Sequence, residues 1–505
     1  MELLAAKGAK FFKGYSEYFL KDPEKAQGSV LDDIIKRNKT TTFGKQHGFD
    51  LINSIRDYQK RCPVRSYKDF KPYINQILSG NRNTLSNDRL LYLGQSSGTT
   101  GKPKLIPVTS KTLLYYSLGL LRIASFYIDE NPREHAGIIN GKWLNLPAPA
   151  VLRYQSGIPI GYITGQNMLA SGTEFWRHFL KLKSYAPLHL MHIKDVELKF
   201  KKVFDECKTK NITALIGVTS VIVNLLDYFL KFSGKEKIID IFPNLQFALF
   251  SGVPPEFYKS RLQKLIGRDI AIREEYAATE SVIGTQLSAN KGFTPLHDKV
   301  FFEFVPTNES EERVLLHDVK KGKEYRVVIT TQSGLYGYDM GDVVKFVSTD
   351  PPRFIFSFRT NVIDLADEKL TPSQVHAAIK LVNEQQGCKV NDFCMIGTYD
   401  PKPHYIFAIE FDPNHHPKAD QKYLSGIDAA LETVNDIYYQ NRRGSNKGTL
   451  SPPELWQMKE GTFLELEKRK GLEGSPVGQA KSTKVTKDKK LLNFFNDRVK
   501  NIIAL

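Results

Sequence analysis

The chain has 505 residues, more than one ordinary core can organise, so two or more domains are expected. Hydrophobic residues make up 41% and charged residues 25%, the balance of a folded soluble protein, which excludes a disordered or fibrous chain. A net charge of +16 admits nucleic acid or an anionic membrane surface as a partner. The basic residues are dispersed, however, with one denser run at Lys481, Lys484, Lys487, Lys489 and Lys490, and no nucleic-acid module is recognisable; no specific nucleic-acid partner is expected.

At the start, Met1 to Phe12 carries an apolar patch broken by Lys7 and Lys10, without a signal-peptide core or cleavage site. No apolar run reaches the ~20 residues of a membrane span. The expectation is a chain with no membrane span and a cytoplasmic location. Cys62, Cys207, Cys388 and Cys394 are scattered without CxxC pairing, which argues against a zinc site or a disulfide framework. His415 and His416 lie between Pro413 and Pro417 and suit a loop better than a metal site.

Along the chain, Leu31 to Arg37 and Phe70 to Leu78 have helical spacing of apolar residues. A short apolar run from Leu90 ends in a Gly/Ser/Thr-rich turn, and Lys111 to Tyr127 reads as the helix after it. Ala214 to Leu230 reads as a buried helix. Leu245 to Leu249 and Ile270 to Glu274 read as short strands. Val300 to Val305, Tyr325 to Thr331, Val343 to Val347 and Phe354 to Phe358 form a strand series. Beyond Arg359 the pattern shifts: a helix over Ser373 to Asn383 opened by Thr371 and Pro372, paired strands at Asp392 to Thr398 and Tyr405 to Phe411, and a long helix over Asp420 to Tyr439. A flexible connection at Asn441 to Pro453 and a closing amphipathic helix at Leu491 to Ile503 complete the chain. Strands interleaved with helices predict an α/β fold. A boundary just after Arg359 divides a large domain, 1–360, from a smaller α+β domain, 361–505.

The most informative segment runs Ser96, Ser97, Gly98, Thr99, Thr100, Gly101, Lys102, Pro103, Lys104. Its glycines permit tight backbone geometry, so successive N–H groups can meet phosphate oxygens in one concavity. Its hydroxyls and lysines add donors and positive charge. GxxxxGK[ST] is absent, so this is not a Walker loop. A generic turn of this composition is an ordinary polar hairpin; the length of this one and the segments that follow favour phosphate binding.

This segment resembles the phosphate loop of the adenylate-forming superfamily, which includes acyl-CoA synthetases, luciferases and peptide-synthetase adenylation domains. Its continuation, Lys104 to Thr109 (KLIPVT), is more similar to the Gretchen Hagen 3 family of acyl-acid amido synthetases. Glu275 to Glu280 (EYAATE) resembles the superfamily's Tyr-x-x-Thr/Ser-Glu motif. The resemblance implies that Tyr276 stacks on adenine, Thr279 contacts phosphate and Glu280 holds Mg²⁺ against phosphate oxygens. Upstream, Phe250 to Pro254 resembles the family's approach to this motif, with Ser251 and Gly252 beside the adenine face. Ser333 to Val344 (SGLYGYDMGDVV) resembles the family's Gly-Leu-Tyr-Arg-Tyr-Arg-x-Gly-Asp segment, and Asp342 matches the aspartate that accepts both ribose hydroxyls. Gly337 and Asp339 depart from it, standing where the family carries arginines.

Arg359 matches a ribose-contacting arginine, with Asn361 in the hinge region, and Asp367 to Thr371 resembles the start of the mobile domain, offering Lys369 as a further phosphate contact. Gly474 to Lys484 resembles Gly-x-x-x-x-Gln-x-Lys-x-Pro-Arg, which makes Lys481 the catalytic lysine. Thr483 and Lys484 replace Pro and Arg, so Lys484 stays open as the alternative; a solvated basic tail is the plain reading of the stretch. The resemblance runs from about Leu31 to the C-terminus. It is strongest over Gln95 to Pro107 and Leu245 to Arg359 and weakest in the small domain.

Taken together, the resemblance implies a large adenylate-forming domain of mixed sheets and helices with a smaller mobile C-terminal domain. It implies ATP and Mg²⁺ as requirements and a ligase that converts a carboxylic acid to its acyl-adenylate and then joins it to an amine, usually an amino acid. The acyl pocket is expected beside the helix after the phosphate loop, near Gly157 to Gly165 and at Val218 and Ile222, although each of these residues also suits a core. An acyl-CoA ligase with the same first step, or a nucleotide-binding regulator that has lost catalysis, are the alternatives.

Overall fold

The computed structural model of the protein describes residues 2–96, 104–169, 180–193, 195–252, 255–290, 292–307, 312–359, 363–463, 465–466 and 485–505. They form two compact units, the larger built on residues up to 360 and the smaller on residues 361–505. No helix among the described residues is long and apolar enough to cross a membrane.

The larger unit opens with helices α1 (Glu2–Leu20), α2 (Pro23–Asn38) and α3 (Tyr67–Leu78). Helix α2 starts where the sequence supplies both a cap and a stop for the preceding chain. The Asp22 carboxylate accepts from the Lys25 amide at 3.0 Å, and Pro23 sits in the first turn, where its missing N–H costs nothing. Helix α2 buries Leu31, Ile34 and Ile35 on a core shared with Phe43, Phe49, Tyr58 and Phe70. Each such side chain removed from water contributes about 1.5–3 kcal/mol.

Three sheets carry the rest of this unit. A four-stranded sheet has the order β2 (Lys104–Thr109), β1 (Leu90–Ser96), β5 (Ile158–Gly161), β4 (Arg153–Gln155). A seven-stranded sheet has the order β11 (Thr294–Pro295), β10 (Val282–Thr285), β9 (Ala271–Ala277), β8 (Phe247–Ser251), β7 (Ile212–Val218), β3 (Lys142–Asn145), β6 (Ser184–Tyr185). Its β9-β8-β7-β3-β6 portion is parallel, and β10 and β11 close one edge antiparallel. The third sheet is antiparallel, in the order β13 (Val314–Leu315), β12 (Phe301–Pro306), β14 (Glu324–Thr330), β15 (Tyr338–Thr349), β16 (Pro352–Arg359). Helix α4 (Ser110–Glu130) follows β2 without a loop, because Thr109 and Thr112 form a reciprocal cap, each hydroxyl accepting from the other's amide at 3.3 Å.

In the smaller unit a five-stranded sheet runs β20 (Val485–Thr486), β17 (Val390–Thr398), β18 (His404–Phe411), β19 (Glu454–Met458), β21 (Val499–Ala504). Helices α5 (Pro372–Gln386) and α6 (Asp420–Val434) belong to the same unit. Thr371 and Gln374 form the reciprocal cap of α5, as Thr371 and Pro372 suggest in the sequence.

Four expectations are corrected. Ala214 to Val218 belongs to strand β7, not to a helix, because the largely apolar segment from Ile212 pairs between two parallel neighbours; the helix begins only at Thr219. The long helix after Asp420 breaks at Asn435, whose side chain turns back to cap the next helix at the Tyr438 amide and donates to the Glu368 carbonyl at 2.6 Å. Residues 441–453 are tied down rather than loose: Asn441 donates to the Ala366 carbonyl at 2.6 Å, and Arg442 forms a buried ion pair with Asp428. The expected closing helix stops at Asn496, and Val499–Ala504 turns into an edge strand on β19. Helical periodicity does not survive there because β19 offers an unpaired edge of backbone groups.

Removing the cap at the start of α4 should be felt directly. Thr109→Ala is expected to lower unfolding free energy by about 1 kcal/mol, read from the midpoint of chemical denaturation.

Candidate functional site

Strand β1 ends at Ser96 and β2 begins at Lys104, and these two residues face each other as the last cross-strand pair of the hairpin. Ser97, Gly98, Thr99, Thr100 and Gly101 lie in the loop they bracket, outside the described residues. Two other segments converge at the base of this hairpin. The turn between β9 and β10 comes close enough that a Cβ on Gly94 would meet the Thr279 methyl at 2.6 Å, so Gly94 is required to let it pack. The same turn is held from the other side by Tyr116 of α4, whose hydroxyl donates to the Ala278 carbonyl.

The start of strand β15 supplies the third segment. The fully buried Tyr338 hydroxyl accepts from Lys104 Nζ at 3.2 Å and donates to Glu280 Oε1 at 3.0 Å. Lys104 Nζ also stands 5.6 Å from the ring centre of Tyr67 and 5.8 Å from that of Tyr338, within cation–π range. Four residues further along β15, past an irregularity in its pairing with β14, the Asp342 carboxylate accepts from the Tyr276 hydroxyl. Two hydrogen bonds thus join residues 276–280 to residues 338–342. Glu280 and Asp342 are both buried, so each carboxylate is oriented by a tyrosine in low dielectric, where such bonds are strong. The Tyr276 ring sits among Phe293, Phe354 and Phe356, with ring centres 5.9–6.2 Å away.

Other expected residues fall nearby or apart. Asp342 pairs in register with Arg359 across β15 and β16; the Arg359 side chain lies outside the described residues. Ser251 faces Val218 across β8 and β7, and a Cβ on Gly252, which has φ +78°, would stand 3.2 Å from Val218. These residues and Tyr276 occupy the C-terminal ends of neighbouring parallel strands, the edge at which open α/β sheets bind ligands. Ile222 is fully buried, with its side chain against Gly217. Gly161 and Gly165 approach the Ala150 and Ala148 carbonyls closely. In the smaller unit, Lys369 forms an ion pair with Asp367. Lys481 and Lys484 lie outside the described residues. Among the described residues, no three His, Cys, Asp or Glu side chains cluster as a metal site. A magnesium ion that keeps waters and phosphate oxygens needs only one or two carboxylates, and the buried Glu280 fits that donor set.

The two departures at 337 and 339 have a structural account. Gly337 has φ +62°, its amide donates to Thr330 Oγ1 at 2.9 Å, and a Cβ there would meet the Pro63 carbonyl at 2.9 Å. Asp339 accepts from the Gly341 amide at 2.8 Å and lies 3.2 Å from Arg326 Nε, so its added charge is paired. Burial raises its pKa, and Arg326 opposes that.

Two residues here escape sequence reasoning. Tyr338 stands inside the motif that carries Asp342, but only its long-range bonds reveal its part. Glu275 precedes Tyr276 on β9 and so points to the opposite face of the strand. Its Oε1 is buried without a hydrogen-bond partner among the described residues, where a Cβ on Gly119 would meet it at 2.4 Å. Burial pushes the Glu275 carboxyl up to about 8. Two adjacent glutamates before Tyr276 were the available signal, since alternation sends one of them inward.

The fold is shared with solved enzymes of low sequence identity. The solved structure of AtGH3.15 acyl acid amido synthetase in complex with 2,4-DB matches with a TM-score of 0.63 over 99% of this chain and 98% of that chain, at 19% identity. 2-Hydroxyisobutyryl-CoA ligase in complex with 2-HIB-AMP and CoA matches with a TM-score of 0.58 over 92% and 91%, at 14% identity. The chain belongs to the GH3 family: the family's N-terminal domain matches residues 14–202, its central domain residues 293–359 and its C-terminal domain residues 373–490. Among its relatives, indole-3-acetic acid-amido synthetase GH3.3 of Arabidopsis thaliana is 25% identical, covering 96% of this chain and 93% of its own length. Probable indole-3-acetic acid-amido synthetase GH3.11 of Oryza sativa subsp. japonica is 24% identical, covering 94% of each.

The Glu275 carboxyl makes stability pH-dependent. Its folded pKa of about 8 lies above the ordinary 4.5, so the folded chain keeps a proton that the unfolded chain releases. Stability from this group is present at acid pH and falls as pH rises from about 4.5 to about 8. Glu275→Gln is expected to flatten that decline in melting temperature, with its gain over wild type largest near pH 8. Gly119→Ala, which crowds the same oxygen, should cost about 1–3 kcal/mol.

Proposed function

We propose that the protein is an ATP-dependent acyl-acid amido synthetase. It activates a carboxylic acid as its acyl-adenylate with release of pyrophosphate, then passes the acyl group to an amine, with an amino acid as the favoured acceptor. The observation that carries this reading is the convergence of Lys104, Glu280, Tyr276 and Asp342 at the base of one hairpin, through Tyr338 and the Tyr276–Asp342 bond. These are a cation and a carboxylate for the phosphates, a ring for the purine and a carboxylate for the ribose.

In the first step a carboxylate oxygen of the acid attacks the α-phosphorus of ATP, and the bond to the bridging oxygen breaks to release pyrophosphate. The backbone amides and hydroxyls of Ser96 to Gly101 cradle the phosphates, and Thr279 adds a contact. Mg²⁺ held by Glu280 would neutralise the charge that develops on the phosphate oxygens. Asp342 accepts the ribose hydroxyls, with Arg359 alongside. Ser251, Gly252 and Tyr276 border the base, and Val218 flanks the acyl end, with the fully buried Ile222 packed behind it. Lys481, or Lys484, brings an ammonium to the α-phosphate in the adenylating arrangement, with Lys369 as a further contact. The domain at 361–505 is the mobile one, and its rotation clears that lysine and admits the acceptor. In the second step the neutral amine attacks the acyl carbonyl, AMP departs with the electrons of the anhydride bond, and the amine gives up a proton.

The likeness in fold to a CoA ligase favours one second reading, in which a thiol replaces the amine. Incubating the protein with ATP, Mg²⁺, a panel of carboxylic acids and either amino acids or coenzyme A, with mass detection of the conjugate, separates the two. An amide product supports the proposal. A thioester without amide favours the ligase, and absence of AMP formation across a broad panel sinks both.

Three substitutions dissect the site. Asp342→Ala should raise the Kd for ATP at least tenfold. Lys481→Ala should cut acid-dependent pyrophosphate exchange while leaving ATP affinity nearly unchanged; normal exchange would remove Lys481 from its role. Tyr338→Phe removes a bond to a charged carboxylate, worth about 1.5–3 kcal/mol, and should slow exchange by about 10–100-fold.

A further inference from the structure

Helix α1 shows its apolar residues on two faces. The inner face, Ala9, Phe12, Ser16 and Leu20, is buried, with Ala9 and Phe12 in the core that Leu120, Ile123, Ala124 and Tyr127 of α4 supply. Lys13 pins the helix there through Asp129 at 2.8 Å. The outer face carries Leu4, Phe11 and Tyr18, which are 75%, 70% and 71% exposed and recur every seven residues, two turns of helix apart. Tyr15 joins this stripe, and Leu3 flanks it at 70% exposure. Between the rings lies an open depression of about 520 Å³ lined by Lys10, Phe11, Gly14, Tyr15, Tyr18 and Phe19. Its floor at Gly14 is bare, with nothing within 4 Å of an added Cβ.

A helix that is apolar outside as well as inside has unfinished burial. Lysines identify what completes it. Lys7, Lys10 and Lys21 are exposed beside the stripe, and none of them forms an ion pair among the described residues. The two acids of the helix are engaged elsewhere, Glu2 with Asn140 and Glu17 with Lys13. A second copy docked on this face would add lysines of its own, while the acids of both helices stay engaged elsewhere. An anionic surface complements them instead, and tyrosines at the edge of an apolar stripe suit the boundary between headgroups and acyl chains.

We propose that the outer face of α1 docks the protein on the surface of a bilayer containing anionic phospholipid. Leu4, Phe11 and Tyr18 enter the headgroup–acyl boundary, Lys7, Lys10 and Lys21 meet lipid phosphates, and the helix lies in the plane of the surface. The inference stands apart from the proposed ligase chemistry, because no residue of the face belongs to the candidate site.

Co-sedimentation of the full chain with large unilamellar vesicles tests it, comparing phosphatidylcholine alone with phosphatidylcholine containing phosphatidylserine. Binding to the anionic vesicles is expected to exceed binding to the neutral ones and to weaken with added salt. Phe11→Ser with Tyr18→Ser should abolish it. Lys7→Glu with Lys10→Glu should reduce it by roughly thirtyfold or more. Both double variants should keep the wild-type melting temperature and AMP-forming turnover, since their side chains face solvent. No sedimentation with anionic vesicles overturns the proposal, as does binding that neither double variant weakens. A concentration-dependent dimer that Phe11→Ser with Tyr18→Ser dissolves, without vesicle binding, also overturns it and assigns the face to a second copy of the chain.

Discussion

One buried phenol holds the candidate site together. Tyr338 belongs to the antiparallel sheet, Lys104 to the hairpin sheet and Glu280 to the turn that leaves the parallel sheet, and the Tyr338 hydroxyl bonds to both. A hydroxyl that accepts from an ammonium and donates to a carboxylate has its proton assigned by its neighbours. It therefore fixes the position of a cation and an anion at once, and removing it from water makes both bonds more rigid. The Tyr276–Asp342 bond repeats the link four residues along, so the three sheets meet with a defined register instead of merely touching.

The rest of the site is organised to tolerate this concentration of charge. Asp339 would add an unpaired negative group close to Asp342, and Arg326 and the Gly341 amide absorb it. Gly337 makes the bend possible because the Pro63 carbonyl leaves no room for a side chain. These two positions supply a bend that only glycine fits and an internal ion pair. On the far face of β9, Glu275 shows the opposite solution. With Oε1 unpartnered among the described residues, the carboxyl is held toward its neutral form by burial, so it places no charge behind Tyr276.

The start of the smaller unit is secured by buried hydrogen bonds. There, Glu368 accepts from the Leu365 and Ala366 amides at 2.7 Å and from the Tyr405 hydroxyl, between Asp367 and Lys369 with φ of +72° and +51°. Residues that are not glycine hold such backbone angles only where surrounding contacts over-determine them. The Asn435 and Asn441 side chains supply further bonds to this stretch, which is why the break in the long helix and the tied segment after it belong to one arrangement.

Much of this was legible in the amino-acid sequence because its causes are local. The helix start at Thr371, the strand series from Val300 to Phe358 and the segments around Ser96, Tyr276 and Asp342 that carry the family resemblance depend on residues a few positions apart, so they can be read locally. Strand β7, the final strand and the break at Asn435 were misread for the complementary reason: each owes its form to a partner that lies far away in the chain. The same holds for Tyr338 and Glu275. Periodicity can say that a tyrosine sits in a motif and that one of two glutamates turns inward. Which oxygen meets Lys104 and which meets Gly119 was decided only when three sheets and a helix packed, because a hydrogen bond between residues more than 200 positions apart leaves no local trace.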